Sequence, residues 1–252
     1  MIGTSNCAAV IPCLNESASI TALVAAVRRR LPCVLVVDDG STDATAQLAE
    51  NAGAVVIRHE RNRGKGAALQ TGLARAMQQD FEWAVTLDGD GQHAPEDLPA
   101  LRRCAEQTGA RMVIGDRMGE AQKMPWLRRA VNRAMSRMLS RRAGKFLPDT
   151  QSGFRLIHLP TWATLLLEAK KFEVESEMLL AFLSAGERVE FAPVQVLQSN
   201  RASHICPLAD TLRWLAWWKK FHRLDRRQFA AQPEPVNSEK EFVRREKSAV
   251  PV

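Results

Sequence analysis

Along the first two thirds of the chain, brief apolar runs alternate with longer stretches whose apolar residues recur every three or four positions. Residues 7–11, 34–37, 54–57, 84–87 and 112–114 are short, β-branched and nearly unbroken by polar side chains, the pattern of strands covered on both faces. Between them, residues 17–30, 42–51, 64–78 and 95–107 carry helical spacing. This alternation predicts right-handed βαβ units and a mainly parallel sheet flanked by helices. Ser17, Thr42 or Asp43, and Pro95 stand where helix N-caps and first-turn residues belong.

After residue 114 the rhythm changes. Residues 125–142 predict one basic amphipathic helix with Trp126, Ala130, Val131, Ala134, Met135 and Met138 on one stripe. A loop, LPDTQSGFR, leads to Leu156 and Ile157, then to helices over 160–168 and 175–185 and an outer strand over 189–197. A last helix spans 207–229, and the polar, Pro-containing remainder predicts disorder. The expected division is a main domain over 1–205, an amphipathic helix over 206–230 and a tail over 231–252. There are no internal repeats.

Composition narrows the classes. The chain has 252 residues, 46% of them hydrophobic, enough for one sizeable core. The net charge of +7, carried mostly by Arg, suits phosphate-bearing ligands, nucleic acid or an anionic membrane face. Five scattered cysteines without a CxxC pair read as reduced thiols, arguing for a reducing compartment and against a zinc site. No charged start precedes a long apolar stretch and no uncharged apolar run is long enough to span a bilayer. A soluble or peripheral protein is expected, on the cytoplasmic face of the membrane.

In a doubly wound sheet, ligands bind beyond the carboxyl ends of the strands. Here those ends read IPCLNES, VVDDGSTDAT, LDGDGQH and IGDRM, bringing Asn15, Glu16, Asp38, Asp39, Asp88, Asp90, Gln92, His93, Asp116 and Arg117 toward one edge. Each cluster alone reads equally well as a cap or turn. Four together crowd carboxylates at a cost that only a cation offsets. Asp88 and Asp90, separated by Gly89, can aim oxygens at one hard cation, with Gln92 adding a neutral oxygen. Mg²⁺ held by one or two carboxylates fills its shell with water and phosphate oxygens, so the pair predicts a metal carrying a diphosphate. The stretch NRGKGAAL offers Arg63, Lys65 and a helix N-terminus to anions. It lacks P-loop spacing, and no GxGxxG follows the first strand, so a dinucleotide cofactor is not expected.

The segments IPCLNES, VLVVDDGSTDAT, NRGKGAALQTGLARA, LDGDGQH, IGDR, DTQSGFRL and FEVESEML, in this order over about residues 7–200, resemble glycosyltransferase family 2, and within it the polyprenol-phosphate (dolichol-phosphate) mannosyl- and glucosyltransferases. The resemblance implies a GT-A fold, a GDP- or UDP-hexose donor, Mg²⁺ or Mn²⁺, a lipid phosphate acceptor and inversion at the anomeric carbon. It places Pro12, Glu16 and Asp39 at the nucleoside, beside Asn15, Asp38, Lys65 and Gly89 in the donor site. Asp88, Asp90 and Gln92 would hold the metal, Arg117 the phosphates, Arg128 and Asn132 the acceptor phosphate, and Arg201 would close over the donor. Asp90, Arg117 and Glu177 are expected to act at the transfer step. A base for a hydroxyl acceptor would come from Glu175 or Glu177. Leu14 stands where the family usually has an aromatic, and NRASHICP replaces a loop that commonly carries glycine and lysine after its arginine.

Trp214, Trp217, Trp218 and Phe221 share the last helix with Arg213, Lys219, Lys220, Arg223, Arg226 and Arg227. That mixture suits a helix lying in a lipid headgroup layer; the alternative is one packed on its own domain or on a dimer partner. The rival classes are a family 2 transferase with a hydroxyl acceptor and a non-catalytic sugar-nucleotide-binding subunit. Nucleic-acid binding is disfavoured because basic residues do not alternate with aromatics outside the last helix.

Overall fold

The computed structural model describes residues 2–171, 173–197 and 207–221. Strands β1 (Cys7–Cys13), β2 (Cys33–Asp38), β3 (Val55–Arg58), β4 (Trp83–Thr86), β5 (Met112–Asp116), β6 (Arg155–His158) and β7 (Val189–Pro193) form one sheet in the order β3-β2-β1-β4-β6-β5-β7. All neighbours pair in parallel except β6, which runs antiparallel to β4 and β5. Helices α1 (Ile20–Arg28), α2 (Thr45–Asn51), α3 (Lys65–Gln78), α4 (Leu98–Thr108), α5 (Trp126–Ala143), α6 (Leu159–Ala163), α7 (Val174–Ser184) and α8 (Pro207–Phe221) complete the described chain.

Every residue of β1 is buried, as an unbroken apolar run requires of a strand inside a sheet. Its alternate side chains feed two cores. Ala8 and Val10 pack with residues of α3 and α7, whereas Cys7, Ala9, Ile11 and Cys13 pack with residues of α1 and α4. The edge strand β3 leaves Val55 exposed.

Several elements depart from expectation for local reasons. α1 starts at Ile20, because Asn15 takes a left-handed φ of 57° and the following turn uses up the chain. α2 starts at Thr45, whose amide donates to the Asp43 carboxylate at 3.0 Å. The helix expected over 160–168 shortens to α6, capped by His158, which accepts from the Thr161 amide. α5 buries Asn132, Met135, Ser136 and Leu139, so Trp126, Ala130 and Ala134 of the expected stripe face solvent instead. β7 ends at Pro193, and Val196 then bridges to His93. Arg201 and the tail over 231–252 lie outside the described residues.

The tryptophans of α8 are core residues. Trp214 and Trp218 are 4% and 8% exposed, stack at 5.4 Å, and join the cluster of α3 and α7. Trp214 Nε1 donates to Ser176 Oγ at 2.9 Å. Trp214 and Trp218 thus serve the domain, as the packing reading of this helix expects.

Candidate active site

The parallel register places the carboxyl ends of β1, β2 and β4 side by side, with Cys13 opposite Asp38 and Val10 opposite Thr86. The loop after β4 returns against β1. Ser19 Oγ donates to Gly89 O at 2.7 Å, and a Cβ on Gly89 would come within 2.7 Å of Cys13 Sγ. Glycine between the two aspartates is therefore a packing requirement as well as a turn.

Asp88 stands at the centre. Its Oδ1 is 2.7 Å from Lys65 Nζ, at the first residue of α3, and its Oδ2 is 3.2 Å from His93 Nε2. Lys65 Nζ also meets Glu175 Oε1 of α7 at 2.5 Å. Burial by itself would raise the Asp88 carboxyl; Lys65, followed by His93, outweighs it and holds the group well below the usual carboxylate range. Backbone closes the remaining side, since a Cβ on Gly153 would lie 2.5 Å from Asp88 Oδ1.

Asp90 Oδ1 accepts from the Gln92 amide at 3.0 Å, and its second oxygen has no protein partner among the described residues. Gln92 Oε1 accepts from Arg128 Nη1 at 3.2 Å. Two carboxylates and a carboxamide form an all-oxygen set that fits a hard divalent cation, with Asp90 the better disposed of the two acids to receive one.

Arg117 is gripped by Asp149, Nε to Oδ2 at 2.7 Å and Nη2 to Oδ1 at 2.9 Å, and both are buried. Burial opposes both charges, yet each partner stabilises the other, raising the arginine and lowering the acid. Arg128 has no acid partner among the described residues. Burial lowers its pKa, and the nearby Arg117 lowers it further. Asn132, one turn along α5, is buried with Nδ2 unpartnered.

The β2 end is more self-contained. Asp39 accepts from His59 Nδ1 at 2.6 Å and from the amides of Arg63 at 2.9 Å and Gly64 at 2.7 Å, holding the turn that starts α3. Asp38 accepts from the Ser41 amide and pairs with Arg58 at 3.1 Å. Asn15 Oδ1 accepts from the Thr42 amide, and the Glu16 amide donates to Thr45 Oγ1. Pro12 lies within buried β1.

The structure separates the two acids of α7. Glu175 reaches Lys65, whereas Glu177 accepts from the Ala169 amide at 2.8 Å, with burial raising its pKa. Beneath them Arg155 is buried without a carboxylate contact among the described residues. It donates to the carbonyls of Ser152 at 2.8 Å, Glu175 at 2.7 Å and Thr150 at 3.0 Å. Burial lowers its pKa to about 10. Sequence reasoning assigned no role to His93, Asp149, Gly153 or Arg155. The signal for three of them was the segment DTQSGFR, whose polar residues have neither helical nor strand spacing.

A family model described as Glycosyl transferase family 2 matches residues 8–160. The UDP-N-acetylglucosamine–dolichyl-phosphate N-acetylglucosaminyltransferase of Methanococcus voltae is 30% identical over 214 residues, 76% of this chain and 85% of that protein. The undecaprenyl-phosphate mannosyltransferase of Micrococcus luteus is 28% identical over 202 residues, 75% of this chain and 82% of that one. Among solved structures, glucosyl-3-phosphoglycerate synthase from Mycobacterium tuberculosis, in complex with Mn²⁺, UDP and phosphoglyceric acid, superposes with a TM-score of 0.67 at 22% identity, covering 86% of this chain and 78% of that one. That likeness bears out the expected GT-A architecture. With the family model spanning well over half of it, the chain belongs to glycosyltransferase family 2.

Proposed function

We propose that this protein transfers a hexose from a nucleoside-diphosphate sugar to a polyprenyl phosphate, with inversion, at the cytoplasmic face of a membrane. The observation that carries the acceptor class is the contact between Arg128 and Gln92. It sets an arginine with no acid partner among the described residues directly beside the DGDGQ loop, so a phosphate held by Arg128 and Asn132 would sit next to the donor's diphosphate. The names of the archaeal and bacterial relatives support the same acceptor.

A phosphate monoester is already an anionic nucleophile and needs placement more than deprotonation. Arg128 supplies that placement. Asp90, with Asp88 and Gln92, would hold Mg²⁺ or Mn²⁺, which when bound neutralises charge on the departing nucleoside diphosphate. The Mn²⁺ in the solved neighbour supports that cofactor. Lys65 lies within reach of the same diphosphate, and Arg117, kept charged by Asp149, adds a positive field from below. Glu16, Asn15 and Pro12 line the nucleoside side, with Asp38 and Asp39 shaping its loops. Arg201 would close over the donor. Glu175 and Glu177, the acids a hydroxyl acceptor would call on, are each committed to another contact.

Incubation with UDP- and GDP-hexoses, Mn²⁺ and a short-chain polyprenyl phosphate should yield a glycosyl phospholipid detectable by mass spectrometry. Transfer to a hydroxyl acceptor in preference to the phosphate would overturn the acceptor class. Donor binding without transfer to either would favour a sugar-nucleotide-binding subunit.

A further inference from the structure

α5 carries six arginines and no acid in eighteen residues. Arg129, Arg133, Arg137 and Arg141 follow at four-residue intervals, so they lie on one face and repel one another. None of the four has an ion pair among the described residues, and Arg133, Arg137 and Arg141 are exposed. Where this row begins, Trp126 is 73% exposed with Leu127 exposed beside it; just past its end, Phe146 is 80% exposed next to Lys145. At 1.5 Å per residue the helix from Trp126 to Ala143 rises about 26 Å, so the two aromatics flank the arginine row at opposite ends. The opposite side of α5 packs on the domain through Met135 and Leu139, and its flank sends Arg128 to Gln92.

A self-repelling arginine row is relieved by a surface of fixed negative charge. Aromatic side chains at the two ends of the row, instead of between its members, do not supply the stacking ladder that single-stranded nucleic acid uses. They do suit a headgroup layer, where Trp and Phe enter the acyl boundary while arginines meet lipid phosphates. We propose that the outer face of α5 is the surface by which this protein lies on an anionic bilayer. The inner flank of the same helix then faces a lipid phosphate emerging from that bilayer, a consequence that rests on the acceptor reading above.

The test uses the full chain with vesicles of phosphatidylcholine, alone or with about a third phosphatidylglycerol. Each surface arginine is worth about fivefold in binding to anionic lipid. Arg133→Gln with Arg137→Gln should therefore weaken binding to the anionic vesicles about 25-fold, with the thermal midpoint unchanged or raised. Trp126→Ala with Phe146→Ala should weaken it independently. Transfer to a short, water-soluble polyprenyl phosphate should stay at the wild-type level in the arginine variant, while transfer to vesicle-embedded acceptor falls. Undiminished vesicle binding in both double variants overturns the proposal, as does binding of wild-type protein to single-stranded RNA but not to vesicles. Wild-type protein that binds vesicles through these residues yet transfers no sugar to lipid phosphate leaves the surface standing and removes the acceptor reading.

Discussion

Arg117 and Asp149 form a two-pronged ion pair at 2.7 and 2.9 Å with both side chains withdrawn from solvent. The pair ties the end of β5 to the loop before β6, and that loop's Gly153 abuts Asp88. Removing one partner strands the other as a buried charge, at a cost of about 3–5 kcal/mol. Arg117→Met should lower stability by that amount in urea unfolding. Arg117→Met with Asp149→Leu should recover most of it while transfer stays impaired, separating the arginine's structural role from the role proposed for it at the phosphates.

Acid should weaken the fold through the same pair. Asp149 has a folded pKa below its unfolded value of about 3.9. Its contribution is thus fully present above that value and is lost as pH falls through the lower, folded one. Urea midpoints measured downward from pH 5 should drop below about pH 4. Asp149→Asn, less stable at pH 7, should show a shallower decline.

His93 holds the Asp88 oxygen that Lys65 does not, and its own Nδ1 is buried with no partner among the described residues. Residues that orient a metal-binding carboxylate typically contribute 10–100-fold in metal affinity. His93→Ala should weaken the Mn²⁺-dependent thermal shift about tenfold or more, and His93→Gln, which keeps an N–H donor, should retain part of it.

Gly153→Ala is a sharper probe of the same carboxylate. The new methyl would fall 2.5 Å from Asp88 Oδ1, and Lys65 and His93 leave Asp88 little room to move. Transfer should fall by at least about tenfold, in keeping with the price of misplacing a reacting group by an ångström. Wild-type rates in this variant would show that Asp88 need not hold its observed position.

Trp214→Ala should cost about 3–5 kcal/mol in chemical denaturation, because it opens a cavity in the core and removes one of the two donors, Trp214 and Gln151, that Ser176 Oγ accepts from. Trp126→Ala, on an exposed side chain, should change stability by less than about 0.5 kcal/mol.

The parallel half of the fold was legible because buried strands and one-sided helices have different periods, and β1, β2, β4 and β5 were located within a residue or two. The DGDGQ loop was legible because its polar residues interrupt an apolar run at the strand's carboxyl end. Helix starts were less so: Asn15 gives its side chain to the Thr42 amide across the loop, and Asp43 holds the first amide of α2 from two residues ahead of it. The stripe of α5 was misassigned, for Ala and Trp are compatible with either a buried or an exposed face.

By itself the sequence determined the sheet, the order of its elements and the line of carboxylates, amides and arginines along one edge, because those follow from hydrophobic period and chain direction. Tertiary structure decided which charges are already matched. It paired Arg117 with Asp149, put Lys65 between Asp88 and Glu175, sent Glu177 to the Ala169 amide and left Arg128 without an acid partner among the described residues. It also buried the α8 tryptophans and turned the α5 arginines outward. Such assignments depend on contacts between residues distant in sequence, about which local spacing carries no information.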